Sequence, residues 1–347
     1  MAGASRSDMG ETKSALRPWL RFGTLLAVVA AAVWLFFDGF DTSGFVSRLA
    51  GANLFYVAVA VFVYSVSWPL RGLRYADVLA RTGHVCGAVA MTGAVFVSQT
   101  TNLVFPARAG DGARAYIVKK RNGVPYTAGA ASLTAERVLD LLAVLAVGGI
   151  GFGLVVVASG GFEPTQGHDA VVLAVAVGIA TVVAAFGVYL TRGTGSGLRE
   201  RDGDRRLDEV LRGIGEFIGD LGAVFGERRG VARLSATSFG IWLLDVATCV
   251  VLFYALGVAF EGVVAVSLLA VSVGNLAKVV PVTPGGIGLY EAGFAAVVVG
   301  ATGVGWEIAV AVAVVDHAVK NGVTVVGGVV SALTLNVSLM RPAETDT

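Results

Sequence analysis

The residues with the most chemical potential fall in one run, Pro281-Val282-Thr283-Pro284-Gly285-Gly286-Ile287-Gly288-Leu289-Tyr290-Glu291. Two prolines remove backbone donors, and the glycines permit positive φ and close backbone approach. Inside an apolar stretch this composition breaks a helix and starts a new one near Gly288. Free N–H groups and the helix dipole at such a start favour an anion, for example a phosphate. Lys278 stands one turn before the break. A charge near a bilayer midplane costs roughly 2.5–3.5 kcal/mol on insertion scales, so a lysine there needs a reason. The plainer alternative is a surface turn joining two spans, with Lys278 snorkelling.

A second run, Asn102-Leu103-Val104-Phe105-Pro106-Ala107-Arg108-Ala109-Gly110-Asp111, breaks the chain again at Pro106 and Gly110. Arg108 can pair with Asp111 or meet a lipid phosphate with its planar fork. Arg114, Lys119, Lys120 and Arg121 make the following helix basic. That cluster also sets topology, and the two roles are compatible. Further charges interrupt apolar helices: Glu136, Arg137 and Asp140, then Asp245, Asp316, His317 and Lys320. Asp316 and Lys320 are spaced i,i+4 in the favourable acid-first order. Such residues face a bundle interior and pair. They either hold the bundle together or line a polar path that could relay protons. No Gly-x-Ser-x-Gly, metal-binding His pair or nucleotide-binding loop occurs, so the expectation is no enzyme, no cofactor and no metal. Cys86 and Cys249 sit far apart in apolar runs, without disulfide or metal-ligand spacing.

The elements that must position these residues are membrane helices. Of 347 residues 55% are hydrophobic and only 15% charged, with mean hydropathy +0.76; soluble domains carry roughly 25% charged residues. Net charge is +1, which offers nothing to nucleic acid. A bilayer core of about 30 Å needs about 20 apolar residues per helix. Candidate spans are 19–37, 53–70, 84–105, 127–158, 170–190, 232–258, 263–280, 289–300 and 307–335. The first follows Lys13 and Arg17 but lacks a small-residue cleavage site, and reads as a retained anchor. One long polar stretch, 191–233, divides the chain; it reads as a cytoplasmic loop with an amphipathic piece near 207–225.

Arginine and lysine bias places the N-terminus, the residues after the second span (Arg71, Arg74, Arg81) and those after the third (Arg108 to Arg121) on one cytoplasmic side. Both ends of 84–105 then share a side, so this segment enters and returns as a re-entrant hairpin, tolerated where it is buried in protein or lines a wet cavity. The competing arrangement lets 84–105 cross and makes 127–158 the hairpin.

An internal repeat runs through the chain. Val97-Ser98, Asn102-Leu103, Pro106 and Gly110 recur in order as Val271-Ser272, Asn275-Leu276, Pro281 and Gly285-Gly286, with Trp68 and Trp242 in the preceding helices. The offset is about 175 residues. The helix before each motif runs in opposite directions, which gives two inverted halves, 53–158 and 232–335, with broken segments, a transporter-like plan.

With the Glu-Arg-x-x-Asp helix at Glu136, Arg137 and Asp140, the Pro-x-x-Pro-Gly-Gly-Ile-Gly run and the Asn-to-Asp run resemble the lysylphosphatidylglycerol synthase transmembrane family. The resemblance covers roughly residues 20–335. It implies a flippase-type helical domain that binds or translocates phospholipids or lipid-linked headgroups. Large soluble aminoacyl-transfer or fused glycosyltransferase domains found with such regions are not expected here, because the chain stops twelve residues after Leu335. The expectation is an all-α polytopic integral membrane protein of the cell membrane, with about 6–9 helices in two inverted-repeat halves. Membrane lipids are its partners, with a separate transferase or a homo-oligomer also open. Asn102, Arg108, Asp111, Arg114, Lys278, Gly285, Gly286, Gly288 and Glu291 would bind the headgroup. Glu136, Arg137, Asp140, Asp245, Asp316, His317 and Lys320 would form the polar network. Flipping of an anionic or polyprenyl-phosphate-linked lipid leads. An accessory membrane subunit supplying a lipid site to a glycosyl- or aminoacyl-transferase is the alternative.

Overall fold

The computed structural model describes residues 41–105, 108–158, 205–279 and 283–335. The expected spans 19–37 and 170–190 lie outside these. The chain divides into two compact units, Met1–Gly44 and Phe45–Thr347. In the first, only residues 41–44 are described; there the Asp41 carboxylate accepts the Ser43 N–H at 3.0 Å and its hydroxyl at 2.6 Å.

The described chain is all helical, with ten α-helices and no strand among the described residues. They are α1 Thr42–Ala50, α2 Leu54–Arg81, α3 Ala88–Val104, α4 Ala109–Asn122, α5 Tyr126–Ala158, α6 Arg205–Phe225, α7 Arg228–Ala255, α8 Val263–Ala277, α9 Leu289–Thr302 and α10 Trp306–Thr334. Four are long and apolar enough to cross a bilayer: α2, α5, α7 and α10, with 28, 33, 28 and 29 residues. With this helical content, the protein is a multi-pass membrane protein.

Length separates two kinds of helix. At 1.5 Å per residue, α3, α8 and α9 reach only about 21–26 Å, short of the hydrocarbon core. The order from α2 to α5 therefore reads long, short, short, long, and so does the order from α7 to α10. The short helices fold back on each other in pairs, α3 against α4 and α8 against α9. This relocates the first hairpin. Ala88–Val104 is one unbroken helix, so 84–105 forms one limb of a hairpin rather than a whole one. The returning limb is the basic helix α4. Nothing between Ala88 and Val104 removes a donor or forces a positive φ, so the helix has no reason to break there.

The two four-helix sets interlock. The most extensive contact joins α2 to α7, while α3 packs on α10 and α8 on α5. Both crossed seams are built on small residues, which bring helix backbones close where lipid offers no hydrophobic drive. A Cβ on Gly328 would lie 1.9 Å from Thr100 Oγ1, and one on Gly151 would lie 2.7 Å from Leu268 Cβ. Thr100 adds a hydroxyl bond to the Thr324 carbonyl, 2.8 Å. At the α2–α7 contact the sequence offset that relates Trp68 to Trp242 also relates Arg71 to Asp245, and these two approach to 3.8 Å. Within the polar stretch 191–233, residues 205–225 fold as α6, and α7 already begins at Arg228.

Candidate functional site

The first hairpin closes through a chain of polar contacts. Gly110 presses its backbone on α3, so that a Cβ there would stand 1.9 Å from the Ser98 carbonyl oxygen. Its N–H donates to Asn102 Oδ1 at 2.8 Å. Asn102 Nδ2 donates to Asp111 at 3.2 Å, and Arg137 of α5 donates to the same Asp111 oxygen at 2.8 Å. In this chain of contacts Asp111 thus accepts from Arg137 of α5, in addition to the charge attraction of Arg108 that the sequence offered. Arg108 caps the start of α4, exposed, with φ 57 and ψ 40. It is the sole non-glycine residue with positive φ among the described residues, a conformation that costs free energy and concentrates at functional sites. Pro106 and Ala107 lie outside the described residues.

The second hairpin turns through Pro284–Gly286, with φ of 63 at Gly285 and 75 at Gly286. Pro281 lies outside the described residues. The turn meets the first hairpin directly: a Cβ on Gly285 would lie 3.1 Å from Leu103 Cδ2. The two interrupted segments therefore touch at their tips. Lys278 ends α8, its stem against Gly286 and its ammonium 4.7 Å from the centre of the Tyr290 ring.

The amide cradle read from the sequence is largely used by the chain itself. The Gly286 N–H goes to the Thr283 carbonyl at 3.1 Å. The Gly288 N–H goes to Glu291 Oε2 at 2.6 Å. A glutamate three residues into a helix reaches back to its start and supplies the negative charge that the dipole favours. The other Glu291 oxygen holds His317 Nδ1 at 2.6 Å.

Behind the first tip lies a buried charge cluster. Arg74 of α2 donates from Nη1 to Asp140 Oδ1 at 2.5 Å and from Nη2 to Oδ2 at 3.0 Å. It reaches Glu136 at 2.7 Å and Ser238 Oγ of α7 at 2.8 Å. Arg114 of α4 takes the other Glu136 oxygen at 2.5 Å and lies 4.9 Å from the Tyr75 ring centre. The Trp242 indole donates to Asp140 at 3.2 Å. Arg74 is 2% exposed and Arg114 0%. Arg114 was expected at the headgroup; it belongs to this interior cluster. Arg74 was not singled out, because Arg71, Arg74 and Arg81 read as charges following the second span. The helix continues through all three, and the acid pair Glu136–Asp140 was the signal that two buried cations had to exist.

Behind the second tip is another cluster. Lys320 of α10 approaches Asp316 at 2.8 Å and Asp245 of α7 at 3.2 Å. The Tyr290 hydroxyl of α9 donates to Asp316 at 2.5 Å. Arg71 and Tyr290 join residues the sequence had marked. Among the described residues no group of three His, Cys, Asp or Glu side chains converges as a metal site.

The comparisons with known proteins agree with this architecture. The family model described as lysylphosphatidylglycerol synthase TM region matches residues 24–328. The chain is 44% identical over 346 residues to a Haloferax volcanii protein named glycosyltransferase AglD, covering 93% of this chain and 55% of that one. The chain thus spans about half the length of that relative. It is 26% identical over 319 residues to a UPF0104 membrane protein of Methanothermobacter thermautotrophicus, covering 84% of this chain and 88% of that one. The expectation that the chain is not an enzyme is overturned by the first of these likenesses, because a relative alike over nearly the whole chain is named for glycosyl transfer.

Proposed function

This chain belongs to the lysylphosphatidylglycerol synthase transmembrane family, and from that premise we propose that it works in glycosyl transfer at the membrane, as the part that holds a lipid-linked phosphate. The observation that carries the reading is the meeting of the two interrupted hairpins at Leu103 and Gly285, with an arginine on one tip and a lysine on the other. Arg108 is exposed at the start of α4, and Lys278 lies against Gly286 at the end of α8. An arginine fork and a lysine point charge together suit a phosphate. The amides of Gly286 and Gly288 are committed elsewhere, so the cations are the groups assigned to it. Asn102 and Asp111 shape the first tip, and Glu291 shapes the second. The likeness to a protein named as a glycosyltransferase supports a polyprenyl-phosphate type of lipid, whose phosphate would be presented at the membrane surface to a transfer site.

A second reading, translocation of that lipid between leaflets, is favoured by the crossed packing of α3 on α10 and α8 on α5. On this reading α2–α5 and α7–α10 are two inverted halves, a plan used for alternating access. In that arrangement the N-terminus and the stretch 191–233 face the cytoplasm.

Lipid-resolved mass spectrometry of the purified protein tests the main reading. Polyprenyl phosphate should copurify with the wild type and be lost from Arg108→Ala with Lys278→Ala. Equal retention by that double variant would sink the phosphate assignment. Proteoliposomes separate the two readings, since scrambling of labelled lipid by this chain alone supports translocation. Gly286→Leu should abolish lipid retention as well, because a side chain there collides with Lys278 Cγ, 2.3 Å from the Cβ position.

A further inference from the structure

Helix α6 takes no part in the hairpin tips, yet it is the most two-faced of the described helices. Ile214, Phe217, Ile218, Leu221, Val224 and Phe225 recur every three or four residues and form one stripe at the helical period. Arg212, Glu216 and Asp220 fall on the opposite face. The two ends of the stripe have different surroundings. At the C-terminal end Val224 is buried and, with Leu221 and Phe225, packs against Val78 of α2, Ala135 and Leu139 of α5 and Leu234 of α7. One and two turns earlier, Ile218 and Ile214 are 62% and 47% exposed.

The docked end marks a depth. Beside it the ion pairs Arg81–Glu227 and Arg233–Asp77 link the ends of α2 and α7. Exposed charges gather at the point where spanning helices leave the hydrocarbon. The apolar stripe is thus anchored among membrane helices at that level, and its earlier turns, which carry Ile214 and Ile218, are uncovered. On α5 Leu142, three residues from Leu139, is likewise apolar and 57% exposed. We infer that α6 lies in the interfacial plane of the same bilayer, with Ile214 and Ile218 inserted at the boundary between headgroups and acyl chains. Charge attraction is not the source of the adhesion. The helix carries Arg205, Arg206 and Arg212 against Asp208, Glu209, Glu216 and Asp220, so apolar burial is what binds it and anionic lipid is not required.

The test uses the full chain in lipid nanodiscs with Cys86→Ser, since Cys249 is buried. An environment-sensitive fluorophore is attached at Ile218→Cys in one protein and at Glu216→Cys in another. The label at 218 should emit to the blue and be quenched by lipid carrying a nitroxide high on its acyl chain. The label at 216 should be quenched by aqueous iodide. Both responses should be the same in neutral and in anionic lipid. Equal iodide quenching of both labels would overturn the inference. So would a label at 218 shielded from both quenchers, which would mean that a second copy or another protein covers the stripe. A second variant guards against a labelling artefact. Ile214→Asp with Ile218→Asp should leave the spans inserted but make Arg212 several-fold more susceptible to trypsin; unchanged cleavage would count against membrane contact.

Discussion

The two buried charge clusters occupy corresponding places behind the two hairpins, but they are made of different groups. The first uses guanidinium cations only: Arg74 and Arg114 on Glu136 and Asp140, with Arg137 on Asp111. Guanidinium stays charged and presents a rigid fork of donors. Arg74 alone binds two carboxylates and a serine and ties α2 to α5 and α7. The second cluster has one guanidinium, Arg71, at 3.8 Å from Asp245, and is otherwise built on Lys320, Tyr290 and His317, whose ammonium, hydroxyl and imidazole present no such fork. Among the described residues its hydrogen-bonded connection to the tip runs through one carboxylate, Glu291, shared between His317 and the Gly288 amide, with the Lys278 ammonium over the Tyr290 ring beside it. The contrast teaches that the first hairpin is clamped through many fixed bonds, whereas the second is held by few and replaceable ones. Any rearrangement that admits a lipid phosphate should then begin at the second tip.

The largest expected effect comes from breaking the clamp. Glu136→Gln leaves the buried guanidinium of Arg114 without its ion-pair partner and removes one of the two from Arg74. Stranding a buried charge in this way costs about 3–5 kcal/mol. Thermal unfolding of the detergent-purified protein should show a large loss of stability. Asp316→Asn in the second cluster should cost less, about 1–3 kcal/mol, because Lys320 keeps Asp245 at 3.2 Å and the Tyr290 hydroxyl keeps an acceptor. If the two variants lose equal stability, the clusters are equivalent and the comparison fails.

The next effect sharpens the contrast at the backbone. Gly110→Ala puts a methyl group 1.9 Å from the Ser98 carbonyl, which forces α3 and α4 apart and costs about 1–3 kcal/mol or more. Gly293 sits on the returning limb of the other hairpin, and a Cβ there meets Ala277 and Val273 only at 3.5 Å, ordinary contact. Gly293→Ala should therefore be neutral or stabilise by up to about 1 kcal/mol through helix propensity. Denaturation midpoints of the two variants measured side by side decide the matter.

Much of this was legible in the amino-acid order, and the parts that were not share a cause. Hydropathy and the proline–glycine runs locate the helices and both interruptions, and i,i+4 spacing pairs Asp316 with Lys320. Hydropathy also ends a span where charges begin, and for this reason Arg71 and Arg74 were assigned to a flank. A membrane helix can run on through arginines when carboxylates meet them on other helices, and those partners lie more than sixty residues away, at Glu136 and Asp140. Tyr290 is named in the proline–glycine run without a role, because a tyrosine in an apolar run reads as packing until its hydroxyl is found on Asp316. The filling of the Gly288 amide by Glu291 was readable from their three-residue spacing; the attraction of that helix start for an outside anion masked it.

The smallest effect tests whether the second tip is as replaceable as its wiring suggests. In His317→Gln the side-chain amide can still donate to Glu291, so the carboxylate stays satisfied and stability should fall by about 1 kcal/mol or less. His317→Leu offers no donor, and the Glu291 oxygen now held at 2.6 Å is left facing an apolar group. That carboxylate is half-satisfied by Gly288 and close to the turn, so the cost should be about 1–3 kcal/mol, with the loss localised at the start of α9. Amide hydrogen exchange resolves this. Protection of Leu289 to Ala292 should drop in His317→Leu and remain in His317→Gln, while the α3–α4 hairpin stays protected in both. Loss of protection in the first hairpin as well would mean that the two tips move as one body through Leu103 and Gly285, and that the second is not the independent, yielding element its few bonds imply.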